Sequence, residues 1–90
     1  MDIKQDTSAN KFIGCEGSDC GYISYEQTDN NRLRVLSTFV PEELRGGGRA
    51  ATLTRHVLDY ARANELTVEP VCSYTQLFMK RNKAEYGDLL

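Results

Sequence analysis

Two arginines bracket three consecutive glycines in Arg45-Gly46-Gly47-Gly48-Arg49, and a helical pattern begins at once with Ala50. Glycine adopts backbone conformations closed to other residues and puts no Cβ in the way of a ligand. At a helix start, successive unpaired N–H groups and the positive end of the dipole attract anions. The chemistry open to such a stretch is therefore phosphate binding. A flexible joint would use glycines equally well, but it has no need of flanking arginines. A second chemical candidate is Cys72, which immediately precedes Ser73, a residue placed to cap the last helix with Gln76 completing a capping box. A sulfur at that point feels the positive helix end, which lowers a thiol pKa and raises the thiolate fraction. The commoner role of a cysteine is that of a small buried hydrophobe.

The residues around these groups fall into alternating and helical patterns. "NKFIGCEG" and "CGYISYEQ" read as strands joined by a turn at Glu16-Gly17-Ser18-Asp19, and "TDNN" supplies a second turn before the strand "RLRVLSTFV". From Val35 to Val40 both faces of that strand are apolar or small, which predicts cover on both sides. Ala50, Leu53, Val57, Tyr60 and Ala61 then recur on one helix face, as far as Asn64. His56 falls at the edge of that stripe and reads as a surface histidine. "LTVEPVC" reads as a strand and "SYTQLFMKRN" as a closing helix, with Lys80 and Arg81 in its last turn. Pro70 cannot donate to a ladder, so the sheet should end or split there. The expected order is β-β-β-α-β-α, an antiparallel meander followed by a helix, a splayed strand and a second helix. This is an α+β (α/β) arrangement in one domain over residues 1–90, with 1–10 loosely ordered.

Ninety residues allow one core, because a chain this size buries only about 60–65% of its unfolded surface. The net charge of −2 leaves no basic face of the kind nucleic acid requires. No apolar run suggests a signal peptide or a membrane span. Cys15, Cys20 and Cys72 then read as reduced thiols in a cytoplasmic compartment, the first two as strand residues. Together with His56 they match no common zinc spacing, so no metal is expected.

Neither common nucleotide motif fits the glycines. A P-loop needs a lysine after them, and a Rossmann fingerprint needs a third spaced glycine within a parallel βαβ unit. Arg45-Gly46-Gly47-Gly48-Arg49-Ala50 instead resembles the Arg/Gln-x-x-Gly-x-Gly/Ala motif of the GNAT acetyltransferase superfamily. The element order and the preceding Val-Pro-Glu-Glu-Leu agree. More narrowly, the chain resembles the minimal subgroup of roughly this length with a Pro-x-Cys-x-Tyr segment, here Pro70-Val71-Cys72-Ser73-Tyr74. That subgroup ends in an Arg-Asn/His-Pro-x-Tyr-like tail, here Arg81-Asn82-Lys83-Ala84-Glu85-Tyr86. The resemblance runs from about Lys11 to the end. It departs where the subgroup has His-Thr-Glu and this chain has Ser37-Thr38-Phe39, and where Lys83 replaces the proline of the tail.

The resemblance implies an acetyl-CoA-dependent N-acetyltransferase, with a non-catalytic CoA-binding module as the alternative. It implies that Arg45, Gly46, Gly47, Gly48, Arg49 and Ala50 hold the pyrophosphate, with Arg81 and Asn82 also on the cofactor. Phe39 and Val40 would line a pantetheine arm lying where the sheet splays. Tyr74 is the candidate proton donor to the departing thiolate, being protonated at neutral pH. Cys72 is the candidate to assist, by accepting the acetyl group in a thioester exchange. The helical segment that helps build the acceptor site in longer relatives is replaced here by a short hairpin. An open acceptor side favours a protein lysine, a polyamine or a similar primary amine, acted on by a monomer or weak homodimer.

Overall fold

In a computed structural model describing residues 1–90, the alternating first half folds into four antiparallel strands. β1 (Asp2–Asp6), β2 (Lys11–Glu16), β3 (Asp19–Thr28) and β4 (Arg32–Phe39) form a meander, and β5 (Thr67–Pro70) joins β4 in parallel at the far edge. The crossover between β4 and β5 is α1 (Arg49–Ala63). α2 (Ser73–Arg81) and the short α3 (Lys83–Tyr86) complete the chain. Gly17 and Asn31 take left-handed φ values of 63° and 61° in the two expected turns, the conformation that glycine and asparagine tolerate.

β1 corrects the expectation that residues 1–10 are loosely ordered. It pairs from Asp2 opposite Cys15 to Asp6 opposite Lys11. Ile3 packs against the core, and the Gln5 amide donates to the Tyr25 hydroxyl at 3.0 Å. The Asp6 carboxylate then ends the strand by accepting from the N–H groups of Ser8 and Ala9, each at 3.1 Å.

The reading of three reduced thiols is also corrected. Cys15 and Cys20 are direct partners across the β2–β3 hairpin, so their side chains share a face, and they are joined in a disulfide. Cys72 is the one free cysteine.

β4 contains the irregularity that matters most for the site. Ser24 pairs with Ser37 and Tyr25 with Val35, which leaves Leu36 bulged out without a partner. Before the bulge Leu33 and Val35 point into the core; after it Thr38 takes that side, opposite Ile23, while Ser37 and Phe39 turn outward. The expected cover on both faces of this strand end is therefore absent. Leu36 and Phe39 are 36% and 45% exposed, because the buried core side chains of α1, α2 and α3 join the other face of the sheet in a single cluster. Within it Phe12 is ringed by Tyr25, Tyr60 and His56. The bare face is laced instead by ion pairs of Arg34 with Glu26 and Glu69, and of Arg32 with Glu69.

Candidate functional site

β4 ends at Phe39, and a 3₁₀ turn over Glu42–Leu44, anchored by buried Leu44, delivers the chain to the glycines. Gly46, Gly47 and Gly48 all adopt positive φ, at 86°, 63° and 74°, which few L-residues sustain. Gly48 is the N-cap of α1, and no side chain caps that end. The first bond of the helix runs from the Thr52 N–H to the Gly48 carbonyl, so the N–H groups from Gly46 to Ala51 donate to no group of the protein. A Cβ at Gly46 or Gly48 would meet nothing within 4 Å. The space above the loop is open rather than filled by neighbours, which suits a bound phosphate.

The flanking arginines differ. Arg45 is exposed, donates only to the Val40 carbonyl at 3.1 Å and has no carboxylate partner. Arg49 donates from Nε and Nη2 to the Glu16 carboxylate at 2.9 and 2.8 Å, and from Nη1 to the Gly46 carbonyl at 3.3 Å. Of the two, Arg45 alone offers an uncommitted charge. Ala50 is half-buried in the first turn behind the loop.

The sheet splits where Pro70 predicts. The β4–β5 ladder ends with Val35 opposite Pro70, and the N–H groups of Val71 and Cys72 both close on the Val35 carbonyl, at 3.0 and 2.9 Å. Beyond that point β4 has no strand partner on this side, and its edge from Leu36 to Phe39 is left without a ladder. Phe39 leans on Tyr22 with ring centroids 5.6 Å apart, and Val40 is half-buried beside Gly21.

α2 begins at the mouth of this gap. The expected capping box is not formed: the N-cap is Cys72, and Ser73 is the first helical residue. The side chain of Gln76 reaches past Ser73 to the carbonyls of Pro70 and Val71, at 3.0 and 3.3 Å. The Cys72 thiol points across the gap to the Thr38 hydroxyl, 3.5 Å away. Burial resists its ionisation, but the Thr38 hydroxyl and the N–H groups of Thr75 and Tyr74 outweigh that cost, and the thiol titrates below its ordinary value. Tyr74 is partly exposed and lies over Phe78, with centroids 6.3 Å apart. Burial raises its hydroxyl pKa against the pull of Arg81, so it keeps its proton at neutral pH.

Arg81, exposed in the last turn of α2, has no carboxylate partner. Asn82 is occupied within the protein. Its amide donates to the Phe78 carbonyl at 2.9 Å, and its side-chain oxygen accepts from Arg55 at 3.3 Å. His56 is exposed beside Phe12, away from these groups. The structure thus brings Cys72, Tyr74 and the open edge of β4 together, with the glycine loop following that same strand. Glu16, Thr38 and Thr75 join the site without having been singled out as candidates from the sequence. Thr38 lies in the triplet already marked as a departure, which was the one available signal.

A family model described as GCN5-related N-acetyl-transferase matches residues 11–89. Among solved structures, the solution NMR structure of a GCN5-like N-acetyltransferase candidate from Staphylococcus aureus superposes with a TM-score of 0.76 at 30% sequence identity. The alignment covers 98% of this chain and 85% of that one. No curated protein matches the chain.

Proposed function

The chain belongs to the GCN5-related N-acetyltransferase family, and from that premise we propose that it binds acetyl-CoA and directs acetyl transfer to a primary amine. The observation that carries this reading is the gap itself. β4 loses its neighbour where Cys72 and Tyr74 begin α2, and the same strand leads on into a loop whose N–H groups are unpaired. The loop from Gly46 to Ala51, with Arg45, would hold the pyrophosphate, and Arg81 adds a second free cation. The open edge of β4 from Leu36 to Phe39, with Val40, offers backbone donors and acceptors to the amides of a pantetheine arm. Acetyl-CoA supplies an activated thioester when bound.

The remaining work falls to this chain. Tyr74 holds a proton for the departing sulfur, and Cys72 assists from the helix start. Ser37, where the subgroup has histidine, is engaged with Ser24 at 2.5 Å and offers no base, so deprotonation of the amine falls to another group or to solvent. The uncovered outer face of the sheet leaves the acceptor side open, which favours an extended amine such as a protein lysine or a polyamine.

Calorimetric titration with acetyl-CoA tests the cofactor half of this reading. Saturable binding of one ligand per chain is expected. No heat at millimolar ligand would return the glycines to being a joint.

A further inference from the structure

Thr75 lies in the first turn of α2, fully buried, and its hydroxyl has no hydrogen-bond partner in the protein. A buried hydroxyl left unpaired costs stability, and a helical threonine ordinarily relieves that cost by bonding the carbonyl four residues back. Thr54 in α1 does so, donating to Ala50 at 2.8 Å. Thr75 does not. Three residues before it, at the N-cap of the same helix, the Cys72 thiol donates across the gap to the Thr38 hydroxyl at 3.5 Å, which the bulge at Leu36 brings to that side of β4, and the Thr75 hydroxyl is among the groups that favour the ionised sulfur.

We infer that Thr38 and Thr75 are positioning residues for Cys72, two hydroxyls that hold its thiolate from opposite sides, one from β4 and one from α2. Each hydroxyl can donate one O–H to a sulfur anion, and the N–H groups of Tyr74 and Thr75 complete the set. The lowering of the thiol pKa has these same groups as its causes. Tyr74 is the titratable neighbour: burial raises its hydroxyl pKa, Arg81 on α2 lowers it, and the charge of Cys72 raises it. On the adjoining strands, Arg34 and Glu69 pair with each other on the bare face of the sheet.

The site resides in the free protein, so its test needs no acetyl transfer. With Cys15 and Cys20 oxidised, iodoacetamide has one free thiol to alkylate, and its rate against pH reports the Cys72 thiolate. Thr75→Val keeps the shape and removes the hydroxyl, whereas Thr75→Ser keeps the hydroxyl. The expected result is at least a threefold slower alkylation at pH 7 for Thr75→Val, with the midpoint moved to higher pH and wild-type behaviour restored in Thr75→Ser. Thr38→Val, at a half-buried site, should move the midpoint the same way and provides the test if Thr75→Val does not fold. Unmoved midpoints in folded variants would overturn the inference. The importance of Cys72 for turnover rests on the proposed function and separates cleanly. A Cys72→Ala variant with undiminished acetyl transfer would remove the catalytic consequence while leaving the alkylation result intact.

Discussion

Arg49 and Glu16 face each other through two hydrogen bonds of 2.9 and 2.8 Å, tying the glycine loop to the tip of the β2–β3 hairpin. The Arg49 hydrogen bond lowers the Glu16 pKa, so the carboxylate remains ionised at neutral pH beside a loop built to receive phosphate. It neutralises one of the two loop guanidinium groups and repels an incoming pyrophosphate. Glu16→Gln should therefore tighten acetyl-CoA binding by about threefold to tenfold at low ionic strength, with the gain shrinking in high salt. Titration at two salt concentrations checks both parts. Weaker binding in the variant would mean that Glu16 serves to orient Arg49 rather than to mask it.

Gly48 and Gly17 separate backbone strain from ligand contact. Both are left-handed, at 74° and 63°, and a Cβ at either meets no neighbour within 4 Å. Alanine at either site should cost about 1–2 kcal/mol of stability, seen as a lower Tm, because the left-handed conformation is strained for any L side chain. Acetyl-CoA affinity should fall at least tenfold in Gly48→Ala, where the Cβ enters the cradle, and stay within twofold in Gly17→Ala. Equal affinities would remove the phosphate-loop assignment.

Much of this arrangement is legible in the chain, and the remainder fails for identifiable reasons. The stripe from Leu53 to Ala61 announces α1, and Pro70 marks the end of the β5 ladder, because each signal lies within a single element. β1 is hidden because "DIKQD" has one aliphatic residue, and its register comes from Ile3, Gln5 and the partner strand. The bulge at Leu36 is a property of the pairing between two strands, so the pattern of β4 alone suggests cover on both faces. Cys15 and Cys20 pair because the hairpin register sets them opposite each other, whereas counting cysteines does not reveal which are neighbours. The Glu16–Arg49 and Thr38–Cys72 contacts join residues 33 and 34 positions apart, beyond the reach of any local motif.

Acid should destabilise the fold through its surface carboxylates. Glu16 and Glu85 are held below their ordinary value of 4.5 by hydrogen bonds from Arg49 and Arg55 respectively. Asp88 and Asp6 lie below 3.8, through Arg62 and Ser8. A carboxylate with a depressed native pKa binds fewer protons folded than unfolded, so its stabilisation is present above the unfolded value and lost as pH falls through the native one. The melting temperature should therefore begin to fall below about pH 4.5 and keep falling through the range beneath 3.8. Arg55→Gln, which removes the partner of Glu85, should make that fall shallower in pH-dependent melts.

Tyr74 has two possible values to the protein, and one substitution tells them apart. Its ring lies over Phe78, while its hydroxyl keeps a proton because burial raises its pKa against the pull of Arg81. Tyr74→Phe preserves the ring contact and removes only the proton. A residue that merely packs would leave kcat unchanged. As the proton donor to a departing sulfur, its loss should lower kcat by roughly 10²–10⁴-fold, with acetyl-CoA affinity and Tm near wild type. The pH profile adds a second reading, since an alkaline limb set by Tyr74 should disappear in the variant. Arg81→Gln, which withdraws the charge that pulls the hydroxyl pKa down, should move that limb to higher pH in the parent. Steady-state rates across pH for the three proteins therefore assign the hydroxyl to the reaction or leave Tyr74 as a packing partner of Phe78.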